Sequence, residues 1–397
     1  MKEHNFIQAL RDIQHFGEEG GVVPVIDVAA TSTFLHPKDM ERVFDGELQG
    51  CYLYSRHSNP TVNMFGKKLA AMDGAEAGLG VASGMAAINC TMEQICCSGD
   101  HIIASDTIYG GTYALFAHLF SKKGIEVDFV DISNLDEVKN HIKPNTKSIY
   151  VETVSNPMLA VADIPALKKV AQAANATLVV DNTFMPTIVS PIKLGADIVI
   201  YSCTKYISGA SDLIAGAILG SDEFIQQLLD INEGQVMLTG PVLDPRIAHE
   251  LYMRLDHLPI RMKAHSEVAY NFAMALDKKG LKPIYPGLES HNTHSLLLSQ
   301  QNTGAGFGGM VALDLGSLEK ARALAEALQN EKFGLFAVSL GFSRTLVSIP
   351  AASTSSEIPE EDRKKLGLSE GMVRLSMGYL GDQAEMTRRF FKCFDAL

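Results

Sequence analysis

From about residue 60 to 220, short apolar runs alternate with stretches whose apolar residues recur at helical spacing. Val62 to Met72 has the helical period, as do residues 84–97, Tyr113 to Phe120, Leu135 to Ile142 and Ile164 to Ala174. Between them, His101 to Ala104, Glu126 to Val130, Ser148 to Glu152, Thr177 to Val180 and Ala196 to Tyr201 read as strands, and Ile214 to Leu219 closes the run. Short strands separated by helices predict an α/β fold: a mostly parallel sheet with helices on both faces. After residue 221 the texture changes. A long helical pattern runs from about Pro245 to Lys279. Strands are expected at Pro283 to Tyr285, Gly309 to Leu315 and Met372 to Met377, with helices at 317–329 and 382–395. That is a smaller α+β domain. With 397 residues the chain exceeds one ordinary core. The reading divides it into an N-terminal arm, 1–55, a large domain, 56–250, and a C-terminal domain, 251–397.

Charge and composition narrow the function classes. A net charge of −12 argues against nucleic-acid backbones and anionic membranes as partners. No apolar run reaches the roughly 18 residues of a membrane span, and Met1 to Asn5 lacks the pattern of a signal peptide. The six cysteines, Cys51, Cys90, Cys96, Cys97, Cys203 and Cys393, include no Cys-x-x-Cys pair. They read as small apolar fillers in a reduced, cytoplasmic protein, with neither a disulfide framework nor a metal site.

The candidate chemistry lies at strand ends. The apolar run Ala196 to Tyr201 breaks into Ser202-Cys203-Thr204-Lys205, and the strand from Thr177 ends in Asp181. Open α/β sheets bind ligands at the carboxyl ends of their strands. A lysine and an acid delivered there match what pyridoxal phosphate requires, a Schiff-base amine and a partner for the pyridinium nitrogen. Taken alone, a lysine after a strand is usually solvated, and an aspartate there is usually a turn or cap. The neighbouring sequence shifts that balance. Ser83-Gly84-Met85 opens a helix whose free N–H groups suit a phosphate. Ser202 and Thr204 bring hydroxyls to the same strand end, and Tyr109 begins a unit after another strand, where a ring can stack. Arg56 sits in a polar turn with Tyr54, and its fork suits phosphate. Arg374 lies inside the apolar strand Met372 to Ser376, where either an anionic ligand group or an internal salt bridge would answer its charge. Gly304 to Gly309 spells Gly-x-Gly-x-x-Gly, but an expected strand follows it, so it reads as a loop.

These residues together resemble the Cys/Met-metabolism family of pyridoxal-phosphate enzymes, of the aspartate-aminotransferase fold type. The likeness runs from Phe16-Gly17 to about Leu380. It is carried by Tyr-Ser-Arg-x-x-Asn-Pro-Thr at 54–61, Ala-Ser-Gly-Met at 82–85, Tyr-Gly-Gly-Thr at 109–112, Val-Asp-Asn-Thr at 180–183, Ser-x-Thr-Lys-Tyr at 202–206, Ser-Leu-Gly at 339–341 and Val-Arg-Leu-Ser at 373–376.

The resemblance implies a role for each position. Lys205 binds pyridoxal 5'-phosphate covalently, Asp181 meets its ring nitrogen, and Tyr109 stacks on the ring. Gly84, Met85, Ser202 and Thr204 hold the phosphate, and Asn156 approaches the phenolic oxygen. Tyr54 and Arg56 reach the neighbouring subunit's phosphate site, in a dimer that pairs into a homotetramer. Arg374 and the Ser339 backbone hold the substrate carboxylate.

Within the family, Phe-Gly-Glu-Glu-Gly-Gly-Val at 16–22, Tyr-Ser-Arg-His at 54–57, Tyr-Pro-Gly-Leu-Glu at 285–289 and Ser-Thr-Ser-Ser-Glu at 353–357 are most similar to plant-type methionine γ-lyases. Bacterial methionine γ-lyases have a cysteine two residues after the stacking tyrosine, where this chain has Gly111. Phe342-Ser343-Arg344 replaces the glutamate-bearing loop of cystathionine γ-lyases. The implied activity is γ-elimination of L-methionine to methanethiol, 2-oxobutanoate and ammonia, with Tyr109 protonating the thiolate. The alternatives are a cystathionine γ- or β-lyase and an O-acylhomoserine sulfhydrylase. A non-catalytic cofactor-binding protein fits poorly with an intact Lys205, Asp181 and Tyr109.

Overall fold

The apolar runs become the strands of one seven-stranded sheet in the computed structural model. It describes residues 21–44, 47, 52–353, 358–359, 361, 363 and 366–397. The stretches at 16–20 and 354–357 lie outside the described residues.

The large sheet contains β1 (Ala77–Val81), β2 (His101–Ser105), β3 (Glu126–Val130), β4 (Thr146–Glu152), β5 (Thr177–Asp181), β6 (Ile198–Tyr201) and β7 (Gly216–Gly220). Their order is β1-β7-β6-β5-β4-β2-β3. The pairs β5/β6, β4/β5, β2/β4 and β2/β3 are parallel, whereas β7 runs antiparallel to both its neighbours. Strand residues alternate between faces. Ile149 and Val151 join one core cluster and Tyr150 the other; Leu178 and Val180 oppose Val179 in the same way. Burial on both faces explains why these strands read as continuous apolar runs.

The pattern missed β1. Its Ala-Gly-Leu-Gly-Val sequence has little apolar signal, because its glycines serve packing. A Cβ at Gly66, in the helix Pro60–Asp73, would lie 2.1 Å from the Gly78 carbonyl oxygen. The helix and strand therefore meet backbone to backbone.

A second sheet, order β8-β11-β10-β9, contains β8 (Met310–Asp314), β9 (Leu335–Phe336), β10 (Leu346–Ser348) and β11 (Met372–Ser376). The helices Leu258–Lys278, Leu318–Asn330 and Gln383–Phe394 close its core. Phe390 packs edge-on to Phe272 there, with centroids 5.0 Å apart.

Two expectations are corrected. The long pattern from Pro245 is two helices, Pro245–Leu255 and Leu258–Lys278. Pro259 has no N–H and its ring would strike the preceding turn, so the helix restarts there. Pro283 to Tyr285 forms no strand; Ile284 makes a single bridge to Ala312. The segment at 113–120 is helical as expected, with Gly110–Ala114 continuing into a π-helical turn, Leu115–Phe120. Among the described residues, no helix is long and apolar enough to cross a membrane.

Candidate active site

The carboxyl ends of β4, β5 and β6 deliver Glu152, Asp181 and Ser202 to one cleft of about 310 Å³, with Lys205 in the turn that follows. That turn is tightly held. Lys205 N donates to the Ser202 carbonyl, and Gly209 N, at φ +72°, donates back to the Lys205 carbonyl. Arg261, from the helix Leu258–Lys278, donates to the Tyr206 and Ile207 carbonyls. The Lys205 amine donates to Ser339 Oγ at 3.0 Å. Burial, helped by the charge of Arg374, lowers its pKa to about 8.

Asp181 is fixed by the residues that follow it. Its Oδ1 accepts Thr183 N at 2.9 Å, and Tyr150 OH donates to Oδ2 at 3.3 Å. Thr183 Oγ1 accepts Ser202 N at 2.8 Å, so the Val-Asp-Asn-Thr segment ties the end of β5 to the end of β6. Asn182 Nδ2 donates to the Val189 carbonyl and to Tyr201 OH beneath the site. Burial raises the pKa of Asp181.

Arg374 on β11 is 2% exposed. Its Nη1 donates to Asn156 Oδ1 at 2.7 Å and its Nη2 to the Ser339 carbonyl at 3.2 Å. Its buried Nε has no hydrogen-bond partner among the described residues. No carboxylate side chain answers its charge in these contacts, so an anionic ligand group is the natural partner. Ser339 stands at φ +84°, a strained conformation for a residue with a side chain. That geometry lets it serve Lys205 through its hydroxyl and Arg374 through its carbonyl. Gly341 explains the rest of Ser-Leu-Gly. It sits at φ +79°, and a Cβ there would lie 2.7 Å from Tyr206 N. The loop lies directly on the Lys205 turn.

The phosphate candidates converge. Ser83 caps the helix Gly84–Ile95 by accepting Ala86 N at 3.1 Å. A Cβ at Gly84 would lie 2.8 Å from Ser202 Cβ, so only glycine lets this helix start abut the end of β6. Gly84, Met85, Ser202 and Thr204 all line the cleft. Thr204 Oγ1 is also engaged with Ala215, accepting its N–H at 3.0 Å. A helix N-terminus, an acid and an amine around one cleft fit pyridoxal phosphate.

Tyr109 stands at the cleft and its backbone N donates to Glu152 Oε1 at 2.8 Å. A Cβ at Gly111 would lie 2.5 Å from its ring, so glycine gives that ring its place. Tyr54 and Arg56 are not part of this cleft. Arg56 lies 5.6 Å over the Tyr54 ring and donates to the Met237 carbonyl at 2.6 Å, facing a separate cavity.

Glu152, Thr183 and Val338 also line the cleft and were not singled out in the sequence. Glu152 looked like the polar end of a strand. Its Oε2 accepts Asn156 N at 3.1 Å, and burial, then the Asp181 charge, raises its pKa.

Known proteins are similar to nearly the whole chain. A methionine γ-lyase of Arabidopsis thaliana is 44% identical, over 97% of this chain and 89% of its own. A cystathionine γ-lyase of Bacillus subtilis is 38% identical, over 91% of each. The crystal structure of a putative O-acetylhomoserine (thiol)-lyase from Campylobacter jejuni, which holds a pyridoxyl-lysine adduct, superposes with a TM-score of 0.91. It shares 28% identity and covers 98% of this chain and 99% of its own. The profile of the Cys/Met metabolism PLP-dependent enzymes matches residues 8–386. The chain therefore belongs to the Cys/Met metabolism PLP-dependent enzyme family, with pyridoxal phosphate as its cofactor.

Proposed function

We propose that the protein is a lyase that converts L-methionine and water into methanethiol, 2-oxobutanoate and ammonia by γ-elimination. The observation that carries this reading is the cleft wall. Beyond its polar floor it is lined by Ile88, Val154, Phe184, Ile214, Val338 and Leu340. A methyl thioether is compatible with such a wall. Among these wall residues none is charged, so they offer the second amino-acid head of cystathionine no ionic partner. The similarity to the Arabidopsis methionine γ-lyase supports the same substrate.

In this reading Lys205 would hold the cofactor covalently and Asp181 would partner its ring nitrogen. Tyr109 would stack on the ring, Asn156 would approach its phenolic oxygen, and Gly84, Met85, Ser202 and Thr204 would hold its phosphate. Once bound, the cofactor withdraws electrons from the substrate's Cα. Arg374 and the Ser339 backbone orient the α-carboxylate, the guanidinium through a charge-assisted fork while the Ser339 carbonyl holds it in place. Lys205, freed when the substrate's amine takes its place, removes the Cα proton and serves Cβ, a task suited to an amine whose pKa is lowered to about 8. Tyr109 gives its phenolic proton to the departing sulfur. Tyr54 and Arg56 serve the phosphate site of a neighbouring subunit, in a homotetramer.

The test is a side-by-side product assay with methionine, cystathionine, cysteine and O-acetylhomoserine, scoring 2-oxobutanoate against pyruvate. The proposal expects methionine to give 2-oxobutanoate and methanethiol with the highest kcat/KM. A higher kcat/KM for cystathionine would overturn it.

A further inference from the structure

We infer that Glu152 is a positioning residue for this reaction: its carboxylate fixes the loop that carries Tyr109 and the loop that carries Asn156. The inference rests on the roles proposed above for those two residues.

Glu152 ends β4, in register with Asp181 on β5, and is 7% exposed. A carboxylate buried beside a second one is costly unless its oxygens are well partnered. Both oxygens are used. Oε1 accepts the backbone N–H of Tyr109 at 2.8 Å, and Oε2 accepts that of Asn156 at 3.1 Å.

These contacts reach two functions at once. Tyr109 opens the short helix Gly110–Ala114 beside the cleft, so its backbone sets where the phenol stands. Asn156 Oδ1 accepts Arg374 Nη1, so the Asn156 backbone sets where the guanidinium is held. A single carboxylate thus spans the proton donor to sulfur and the anchor for the α-carboxylate. A side chain needed only to fill this position would be apolar like Val151, its neighbour in β4. Acceptor chemistry at both oxygens distinguishes Glu152 from such a filler.

The test compares Glu152→Gln and Glu152→Asp with wild type. Gln keeps the shape and one acceptor oxygen but turns an NH₂ group towards the second N–H. Asp keeps the carboxyl group and withdraws it by one methylene. Three quantities are measured: amide hydrogen exchange over 106–112 and 153–158, in apoprotein and in cofactor-loaded enzyme; melting temperature; and kcat and KM on whichever sulfur amino acid the wild type consumes. In Glu152→Gln both segments should exchange faster while the melting temperature stays close to wild type. Its kcat/KM should fall about 10- to 100-fold, as expected when one buried N–H loses its acceptor. Glu152→Asp should fall at least as far, because both contacts lengthen. Unchanged exchange over the two segments in Glu152→Gln would overturn the inference. So would a lowered melting temperature with wild-type kinetic constants per folded molecule. The exchange data need no substrate, so a failure of the methionine assignment leaves this test intact.

Discussion

Replacing Arg374 by lysine separates a ligand-binding arginine from a structural one. The guanidinium makes two buried contacts, to Asn156 Oδ1 at 2.7 Å and to the Ser339 carbonyl at 3.2 Å, and has Nε left over. A lysine is a point charge on a shorter stem and cannot hold Asn156, Ser339 and a carboxylate together. Removing a charge-assisted contact from a buried site should cost about 2–5 kcal/mol of transition-state stabilisation, a factor of about 30 to several thousand in kcat/KM. Most of that loss should appear in KM if the carboxylate is held equally in the ground and transition states.

Two further readouts sharpen the result. The cofactor's absorbance should stay close to normal in Arg374→Lys, because the positive charge remains and the proposed contacts of Lys205, Asp181 and Tyr109 with the cofactor do not pass through Arg374. Arg374→Met removes the charge altogether. Burial is the larger cause of the lowered Lys205 pKa and Arg374 the second, so Lys205 should titrate higher in Arg374→Met than in wild type. Steady-state kinetics against methionine concentration, melting temperature and a pH titration of amine reactivity in apoprotein read all three. If Arg374→Lys lost thermal stability while keeping kcat and KM per folded molecule, Arg374 would be a structural arginine and the carboxylate role would fall.

Two predictions concern Lys205 and assembly. The folded-state pKa of Lys205 is lowered from 10.5 to about 8 by burial, so within that window the unfolded chain holds a proton that the folded chain has shed. Stability should rise with pH there; apoprotein Lys205→Met should melt above wild type near pH 7, the gap closing towards pH 10, and a pH-independent gap would refute the assigned burial cost. For assembly, mixing Arg56→Ala with Lys205→Ala protein should restore activity, because a hybrid dimer contains one site with both residues intact; no recovery after confirmed subunit exchange would exclude Arg56 from a neighbour's site.

How much of this was legible in the sequence follows from what each element depends on. Strands β4, β5 and β6 were readable because burial on both faces demands unbroken apolar runs, and the residues ending them, Asp181 and Ser202 to Lys205, stood out as polar interruptions. Strand β1 was not, because Gly66 and Gly78 trade side chains for a close backbone approach. The break at Asp256-His257 was marked by Pro259, but the apolar period runs through it, and period alone hides a restart. Glu152 left no local signal, since its partners are two backbone N–H groups supplied by separate loops.

The site residues differ in the same way. Lys205, Asp181 and Gly84 depend on one strand end or one helix start, so short segments suffice to find them. Arg374 announced itself by being out of place in an apolar strand, but its partner could not be read locally. That partner is a loop from the C-terminal half, whose Ser339 adopts φ +84° so that its hydroxyl meets Lys205 and its carbonyl meets Arg374. Gly341 presses the loop against Tyr206 N, where any side chain would collide. Ser-Leu-Gly is therefore a joint between the two sheets. The lysine of the large sheet and the arginine of the small one are held to a common reference, which the proposed reaction needs because in it one group moves a proton at Cα and the other holds the carboxylate bonded to it.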